Sequence, residues 1–393
     1  MKKTLNDFDF YDKRVLVRVD FNVPMKDGKI SNDIRMVEAL TTIKYLLNSN
    51  AKVILVSHLG RPDGVVKKEY SLKPIYEHLK ELLPVTDIRF SDSFDFDVLR
   101  EKVDAMSRGE ILMLENIRFL PQEEENDDDL SKNLASLADI FVMDAFGTAH
   151  RKHSSTYGVA KFLPSCMGKL LEKEIVIFDE TLNNPNRPLV AILGGAKISD
   201  KLLMTENLLN KVDVMLIGGG MCFTFLKALR ADVGASLVDD DKIEFCYNVI
   251  KTAIKNNVRI ILPMDFVCAK DVNSQEVKIL KDSELSGDIM GLDIGPRSIK
   301  LFAKYIKEAR TIVWNGPMGA YEYEKFANGT KKIAELIASN KKSKSIVGGG
   351  DVVSAIKKFH LENGFYHIST GGGASLKLLE GKTLSSYDVL EDE

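Results

Sequence analysis

A pair of lysines follows a double glycine near the middle of the chain. Gly194 and Gly195 precede Lys197 and Lys201, and this spacing predicts two ammonium groups one helical turn apart, on one face at the start of a helix. Two positive charges in such a place suit the negative charge of transferring phosphates. Solvated surface lysines are the alternative interpretation, and the preceding glycines favour the phosphate site.

Three glycine triplets lie in the same half of the chain, at residues 218–220, 348–350 and 371–373. Glycine lets backbone N–H groups approach an anion closely, and the N-terminus of a following helix attracts negative charge. Each triplet alone is equally well explained as a tight turn from strand to helix. None completes G-x-G-x-x-G, because the sixth positions hold Phe223, Val353 and Leu376, which argues against a nicotinamide dehydrogenase.

Asp351 directly follows the second triplet. A carboxylate in this place has the form of a magnesium ligand that also lies against phosphate oxygens. The alternative is an N-cap for a helix that begins at Val352.

The first half of the chain carries a different set of polar residues. Its candidate anion-binding side chains are Arg35, Arg61, Arg118, Arg151, His58 and Asn22. Guanidinium groups offer planar forks to carboxylate and phosphate, and three of these arginines follow successive predicted strands. The set predicts a small, multiply charged anion as ligand. His150 and His153 do not predict a metal site, because neither a carboxylate nor a cysteine lies nearby.

These residues follow short apolar, β-branched runs that alternate with segments of helical period. Ten strands are predicted, at 15–19, 53–56, 111–114, 140–143, 189–193, 212–217, 260–262, 312–314, 345–347 and 367–369. The alternation indicates βαβ units and parallel sheets, and ten strands over this length favour two domains. Ligands of such sheets bind beyond the carboxyl ends of the strands. We therefore expect a cationic site in the first half of the chain and a site formed by backbone N–H groups in the second. The border is predicted between 164 and 184, where a connecting helix starts near Gly168.

Composition narrows the class of protein. The 393 residues include 54 basic and 57 acidic side chains, a formal net charge of −3, which argues against nucleic acid as the main partner. Asp7 and Asp9 interrupt any signal-peptide core, and no uncharged apolar run approaches the ~20 residues of a membrane span, so a cytoplasmic protein is expected. The four cysteines are predicted to be reduced core thiols. The acidic stretch 123–129 is interpreted as a solvated loop before a helix, with a metal site as the weaker alternative.

Eight motifs together resemble the phosphoglycerate kinase family from one end of the chain nearly to the other. They are RVDFNVP at 18–24, SHLGRP at 57–62, ENIRF at 115–119, DAFGTAHR at 144–151, LGGAK at 193–197, WNGPMG at 314–319, GGGD at 348–351 and STGGGAS at 369–375. The resemblance implies reversible transfer of a phosphoryl group between ATP and the carboxylate of 3-phosphoglycerate, giving ADP and 1,3-bisphosphoglycerate, in glycolysis and gluconeogenesis. It also implies Mg²⁺ as cofactor.

The resemblance assigns a role to individual positions. The implied phosphoglycerate site consists of Asp20, Phe21, Asn22, Arg35, His58, Leu59, Gly60, Arg61, Arg118 and Arg151. The implied nucleotide site consists of Gly194, Lys197, Lys201, Gly218, Gly219, Leu292, Asn315, Pro317, Glu322, Gly349, Gly350, Asp351 and Val352, with Asp351 as the metal ligand. The implied catalytic groups around the transferring phosphoryl group are Arg35, Lys201, Gly372 and Gly373.

The family fold implies an α/β protein with two doubly wound, Rossmann-like parallel-sheet lobes joined by a hinge helix. Residues 1–172 and the C-terminal tail 378–393 are assigned to a phosphoglycerate-binding lobe, and residues 173–377 to a nucleotide-binding lobe. A monomer without nucleic-acid or membrane partners is expected. The chain departs from the family pattern at Val352, where Ser or Thr is usual, at Cys222, which replaces a common Ala, and at residues 165–169.

Two functions of other classes share part of this pattern. A two-lobed binding protein that closes on a phosphorylated ligand would have both anion sites, but Lys197, Lys201 and Asp351 together are suited to transferring charge and superfluous for holding it. A non-enzymatic scaffold has no supporting feature.

Overall fold

The computed structural model describes residues 2–393, and the chain divides into two compact units. The first unit comprises the residues up to Val176 together with Thr383–Glu393, and the second comprises Ile177–Lys382. The predicted division lay at 172/173 and 377/378, and the ligand-binding role assigned to each lobe stays a prediction.

The first unit is built around a six-stranded parallel sheet. Its strands, and a separate hairpin formed by β2 and β3, are β1 (Arg14–Arg18), β2 (Met25–Lys26), β3 (Lys29–Ile30), β4 (Lys52–Val56), β5 (Ile88–Ser91), β6 (Ile111–Leu114), β7 (Ile140–Met143) and β8 (Ser165–Met167). Its helices are α1 (Ile34–Asn48), α2 (Lys73–Leu82), α3 (Phe96–Asp104), α4 (Gln122–Glu125) and α5 (Asp128–Ser136). The strand order is β5-β6-β4-β1-β7-β8, with all strands parallel. Strands β4 to β6 lie on one side of β1 and strands β7 and β8 on the other, as in doubly wound folds.

The sequence explains why these elements form. Strands β6 and β7 are buried along their whole length, which is why they read as continuous apolar runs rather than as alternating patterns. Asp95 caps α3 and Asp127 caps α5, each with its side chain accepting from backbone N–H groups of the first turn. One large core beside the sheet includes residues such as Val17, Ile43 and Leu79.

Helix α6 (Lys169–Asn183) begins in the first unit and ends in the second. Its first turn contains the lysine and glutamate run that predicted a connecting helix near Gly168. The Oδ1 atom of the buried Asp144 accepts from Leu170 N at 2.9 Å and from Leu171 N at 3.2 Å, which satisfies two of the free donors at this helix end.

The second unit contains a second six-stranded parallel sheet and a small antiparallel one. Its strands are β9 (Leu189–Leu193), β10 (Val214–Ile217), β11 (Arg259–Ile261), β12 (Asp265–Ala269), β13 (Lys278–Lys281), β14 (Met290–Ile294), β15 (Thr311–Asn315), β16 (Lys344–Val347) and β17 (His367–Ile368). Its helices are α7 (Leu202–Leu209), α8 (Cys222–Ala228), α9 (Ile243–Lys255), α10 (Pro296–Glu308), α11 (Asn328–Ser339), α12 (Gly350–Lys358) and α13 (Gly373–Leu379). The large sheet has the order β11-β10-β9-β15-β16-β17, and β12 pairs with β13 and β14 in the small one.

The C-terminal tail belongs to the first unit and contains α14 (Ser385–Asp388). Ser386 N donates to Ala149 O at 2.9 Å, and Lys3 N donates to Glu391 O at 2.9 Å. The side chain of Lys2 donates to Leu390 O at 2.8 Å. The two ends of the chain are therefore hydrogen-bonded to each other within one unit.

The predicted α/β fold with two doubly wound lobes is confirmed. All ten predicted strands are present, with ends that differ by at most two residues. The pattern missed β5, whose Arg89 interrupts its apolar residues, the short strand β8, the β2–β3 hairpin and the antiparallel sheet, where β13 has mostly exposed side chains. All four cysteines are free and buried, as predicted.

Candidate functional site

In the first unit, the polar loops follow four strands that are neighbours in the sheet. Asp20 and Asn22 follow β1, His58 to Arg61 follow β4, Arg118 follows β6, and Arg151 follows β7. Since the sheet order places β6, β4, β1 and β7 side by side, their carboxyl ends form one continuous edge. The topology thus brings together residues that are more than 130 positions apart in sequence.

The loop after β1 is tied to the first turn of α1. The Nη1 atom of Arg35 lies 3.1 Å from Asp20 Oδ2 and donates to Asn22 O at 3.0 Å. The side chain of Asn22 accepts from Gly60 N at 2.9 Å, which joins the loops after β1 and β4. Gly60 has φ of +62° and lies against the ring of Tyr70, so a side chain at this position would collide with the ring.

His58 lies at the centre of this edge and is only 3% exposed. Burial lowers the pKa of its imidazole well below the ordinary value, and the surrounding guanidinium groups lower it further. His58 therefore contributes a neutral ring rather than a cation.

Arg118 is held with part of its hydrogen-bonding capacity unused. Its side chain is 4% exposed; Nη1 donates to Gly60 O at 2.8 Å, and Nε lies 3.1 Å from Oε1 of Glu124. Nη2 has no hydrogen-bond partner within residues 2–393, and Nε is paired with Glu124 by charge without an aligned hydrogen bond. Burial lowers the pKa of Arg118 to about 10, so the group stays charged near neutral pH. A buried cation with unused donors is suited to an incoming anion.

The remaining predicted residues of this set have varied exposure. Phe21 and Leu59 are buried and contribute packing and backbone, Arg61 is exposed, and Arg151 is partly exposed. The sequence reasoning missed Arg18, Ser155 and Glu123, which are linked by buried hydrogen bonds, and Glu124, which pairs with Arg118.

The interpretation of 123–129 as a solvated loop is wrong, because residues up to Glu125 belong to α4 and α5 begins at Asp128. Glu123 is 0% exposed and accepts hydrogen bonds from Ser155, whereas Asp127 does cap α5, as a loop before a helix requires. Across the described residues, 2–393, no cluster of histidine, cysteine or acidic side chains has the form of a metal site.

In the second unit, the glycine-bearing loops also follow neighbouring strands, here β10, β9, β15, β16 and β17. Lys201 Nζ donates to Asn315 Oδ1, and Asn315 Nδ2 donates to Gly348 O at 2.7 Å, so three of the loops are joined by one side-chain amide. Burial lowers the pKa of Lys201, while Asp200 and Asp351 oppose that shift.

The predicted helical spacing of the two lysines is wrong. Lys197 is extended, residues Ile198–Lys201 form a 3₁₀ turn, and α7 begins only after Lys201. The two side chains nevertheless line the same cavity of about 410 Å³. That cavity is also bordered by Asn315, Gly349, Gly350, Asp351, Val352, Gly372 and Gly373.

The glycines of this unit are of two kinds. A Cβ on Gly219 (φ +63°) would lie 2.6 Å from Gly195 N, and Gly194 and Gly218 are similarly crowded by the loop that contains Pro317 and Met318. By contrast, a Cβ on Gly350 or Gly372 would meet nothing within 4 Å. The first kind lets loops pack together, and the second leaves backbone open to the cavity.

A second cavity of about 430 Å³ adjoins the first, since both are lined by Gly195, Ala196 and Asp351. Its wall is largely apolar and includes Phe223, Leu292, Ile294 and Met318, with Pro317 and Glu322 also lining it. An apolar slot next to a cavity bordered by lysines and glycines suits a ligand with a planar base and a phosphate chain.

Asp351 is exposed in the first turn of α12, and the N-cap position is Gly349, so the alternative of an Asp351 N-cap is wrong. Val352 is fully buried. A single exposed carboxylate beside a phosphate-sized cavity fits Mg²⁺, which usually binds one or two carboxylates together with substrate phosphates.

The two units together define a class: doubly wound α/β proteins with an arginine-rich sheet edge on one unit and a glycine-bordered cavity on the other. Comparison with known proteins identifies the family within this class. The family model "Phosphoglycerate kinase" matches residues 5–382. The phosphoglycerate kinase of Dictyoglomus turgidum is 51% identical over 396 residues, covering 100% of both chains, and that of Finegoldia magna is 49% identical over 100% of this chain and 99% of its own.

A solved structure is similar over the same extent. The structure of phosphoglycerate kinase from Coxiella burnetii has a TM-score of 0.92 and 38% sequence identity, covering 100% of this chain and 99% of that one. The chain belongs to the phosphoglycerate kinase family. It is an enzyme of ATP-dependent phosphoryl transfer in glycolysis. From residue 2 to residue 393, no helix is both long and apolar enough to cross a membrane.

Proposed function

We propose that the chain transfers a phosphoryl group reversibly between ATP and 3-phosphoglycerate, with the acceptor bound at the arginine-rich edge and the nucleotide in the two adjoining cavities. The observation that carries this assignment is Arg118, a buried guanidinium with an unused Nη2 donor in the loop after β6 on the arginine-rich edge. The acceptor, 3-phosphoglycerate, is a small anion with a carboxylate and a phosphate, which are the groups that guanidinium forks bind best.

The proposed acceptor site combines charge with fixed backbone. Arg35, Arg61, Arg118 and Arg151 would neutralise the two acidic groups of 3-phosphoglycerate. Asp20 and Asn22 orient Arg35 through the contacts described above, and His58 adds a neutral hydrogen-bond donor. Phe21, Leu59 and Gly60 shape the loops that carry these groups.

In the proposed nucleotide site, the apolar cavity binds the nucleoside and the cavity beside it binds the phosphates. Leu292, Pro317 and Glu322 would contact the nucleoside in the apolar cavity, while Gly194, Gly218 and Gly219 shape the loops beside it. Lys197, Lys201, Asn315 and the turn of Gly349, Gly350, Asp351 and Val352 would face the phosphates. Asp351 would hold Mg²⁺, which when bound neutralises charge on the phosphate oxygens.

The protein's own groups act in this proposal by position and charge, because phosphoryl transfer requires little covalent chemistry from the protein. Arg35, Lys201 and the backbone of Gly372 and Gly373 would stabilise the charge of the transferring group. Helix α13 has seven residues, so its contribution comes from local N–H groups rather than from a long helix dipole. No side-chain nucleophile is required.

We further propose that the protein works as a monomer in the cytoplasm, without nucleic acid as partner. The net charge of −3 and the four free, buried thiols support this proposal.

A coupled assay of ADP release tests the function. Turnover is expected only when ATP, 3-phosphoglycerate and Mg²⁺ are all present, and omission of any one should reduce the rate to background. If all three ligands bind but no ADP forms, the chain is a binding protein and the proposed reaction is wrong. Sedimentation of the full chain over a range of concentrations tests the monomer.

A further inference from the structure

A chain of buried polar groups, formed by Glu123, Ser155 and Arg18, leads to His58. Glu123 accepts from Ser155 N at 2.9 Å and from Ser155 Oγ at 2.6 Å. The same Oγ accepts from Nε of Arg18 at 2.8 Å. Glu123, Ser155 and Arg18 are 0%, 1% and 0% exposed, so water does not compete for these bonds. The single proton of the Ser155 hydroxyl is thereby directed at Glu123, which leaves its lone pairs for Arg18.

The orientation of Arg18 decides the protonation state of His58. Nη1 of Arg18 donates to Val19 O at 2.6 Å, and Nη2 lies 3.2 Å from Nδ1 of His58. A guanidinium group has donors only and stays protonated, so Nδ1 has to be the acceptor in this pair. The ring proton of a neutral His58 is then on Nε2.

We infer that Glu123, Ser155 and Arg18 are positioning residues that hold His58 as a neutral imidazole with its proton on Nε2, available as a donor to the acidic substrate. The role of that donor rests on the proposed phosphoglycerate site, whereas the tautomer follows from the contacts of the free protein.

The charges around His58 support a ring that does not titrate near neutral pH. The groups that face it are Arg18 on β1, Asp20 after β1, Arg35 on α1, Arg118 after β6 and Arg151 after β7. The one acidic member, Asp20, has its Oδ1 4.0 Å from Nδ1, which is beyond hydrogen-bonding distance. The arginines supply the positive charge of the site, and His58 supplies a hydrogen bond that does not change with pH.

The free enzyme provides the first test. The full chain, labelled with ¹⁵N-histidine, is studied by long-range ¹H–¹⁵N correlation spectra from about pH 5.5 to about pH 8.5, and the signals of His58 are assigned by their loss in His58→Gln. A single Nε2–H tautomer without a titration step is expected. A proton on Nδ1, or a midpoint within this range, would overturn the inference.

Two neighbouring serines provide a matched pair of variants. Ser154 lies in the same buried turn, but its Oγ donates to Gln122 O and Asp127 O rather than contacting Arg18. Ser155→Ala should reduce the population of the Nε2–H tautomer and weaken 3-phosphoglycerate binding by roughly ten-fold, because a displaced donor loses its alignment. Ser154→Ala should leave the tautomer unchanged. Equal tautomer populations and affinities in both variants would show that Ser155 has no positioning role.

A double variant keeps the test decisive if Ser155→Ala does not fold. Arg18→Met with Glu123→Gln removes both buried charges together, which avoids an uncompensated ion. Without the Arg18 donor at Nδ1, His58 should no longer be restricted to the Nε2–H tautomer. A ring that still shows only Nε2–H without titration would overturn the inference.

Addition of 3-phosphoglycerate to the labelled wild-type chain separates this inference from the proposed function. If His58 has the expected tautomer but its Nε2 signal does not respond to ligand, the proposed phosphoglycerate site is wrong. The inference about Glu123, Ser155 and Arg18 is then still supported. If the signal responds but the proton is on Nδ1, the site stands and the inference fails.

Discussion

The two units share one architecture but present opposite chemistry at the carboxyl ends of their strands. In the first, the strand ends carry arginines whose positions depend on buried partners such as Glu123 and Ser155. In the second, the strand ends carry glycines, and only Lys201 among the cavity's cations is largely buried, against the amide of Asn315. A site of side chains can be altered one charge at a time. A site formed by backbone groups is altered chiefly by replacing a glycine with a residue whose side chain does not fit.

The largest expected effect comes from the second unit's buried cation. Lys201→Ala should lower kcat by roughly 10² to 10³, about 2.7 to 4 kcal/mol, with a smaller change in the KM for ATP, because charge stabilisation acts mainly in the transition state. Steady-state kinetics measure both constants. A change confined to KM would mean that Lys201 contributes uniform binding, and the contrast with the backbone groups would weaken.

A second prediction concerns a feature that the two units share. Each has a buried carboxyl group after a strand or at its end, Asp144 in the first and Asp293 in the second, and burial raises the pKa of each to about 7. A carboxyl pKa that is higher in the folded than in the unfolded state contributes stability at low pH, which is lost as the pH rises through 7. Because an asparagine side chain does not ionise, Asp144→Asn should not lose stability in this way as the pH rises.

The stability of Asp144→Asn relative to wild type should therefore increase by about 2 to 3 kcal/mol between pH 5 and pH 8. Urea unfolding at the two pH values measures the difference. Exposed Asp128→Asn is the control and should show no such trend. A constant difference between Asp144→Asn and wild type would mean that Asp144 is ionised throughout.

Two glycine variants test whether the second unit's glycines are of two kinds. Gly219→Ala combines a positive φ with a Cβ 2.6 Å from Gly195 N, so it should destabilise the fold by roughly 1 to 3 kcal/mol. Gly350→Ala meets no neighbour and should leave stability nearly unchanged while raising the Kd for ATP, since its methyl group enters the phosphate cavity. Unfolding and titration calorimetry separate the two effects. Equal stability losses would contradict the distinction.

The smallest expected effect is an improvement in the first unit. Glu124, half exposed, is the counter-ion of Arg118 in the free protein. Glu124→Gln should lower the KM for 3-phosphoglycerate by roughly 1.4- to five-fold, the size of a partly exposed ion pair of about 0.2 to 1 kcal/mol. Glu125→Gln makes the same charge change at an exposed neighbour and serves as control. A higher KM in Glu124→Gln would show that Glu124 positions Arg118 instead of competing for it.

The sequence predicted most strands of the two parallel sheets and the loops that follow them, because strand ends and their loops are local features. Ten strands followed from apolar runs, and Lys201 and Asp351 from their place beside glycines. The buried chain to His58 did not follow, because Arg18 and Ser155 are 137 positions apart and meet only through the sheet order. Glu123 was misjudged for the same reason: an acidic run predicts solvent exposure unless its buried partners are known. The lysine spacing was misjudged because a 3₁₀ turn replaced the expected helix.

The return of the tail to the first unit has a consequence for synthesis on the ribosome. The second unit is one continuous stretch, whereas the first lacks α14 and the hydrogen bonds of residues 383–393 until those residues have been made. At roughly 5 to 20 residues per second, the roughly 200 residues of the second unit take on the order of 10 to 40 seconds to translate. During that interval the nascent first unit exposes the surface that its tail later covers, whereas the second unit has all of its own strands as soon as its translation ends, before the tail is made.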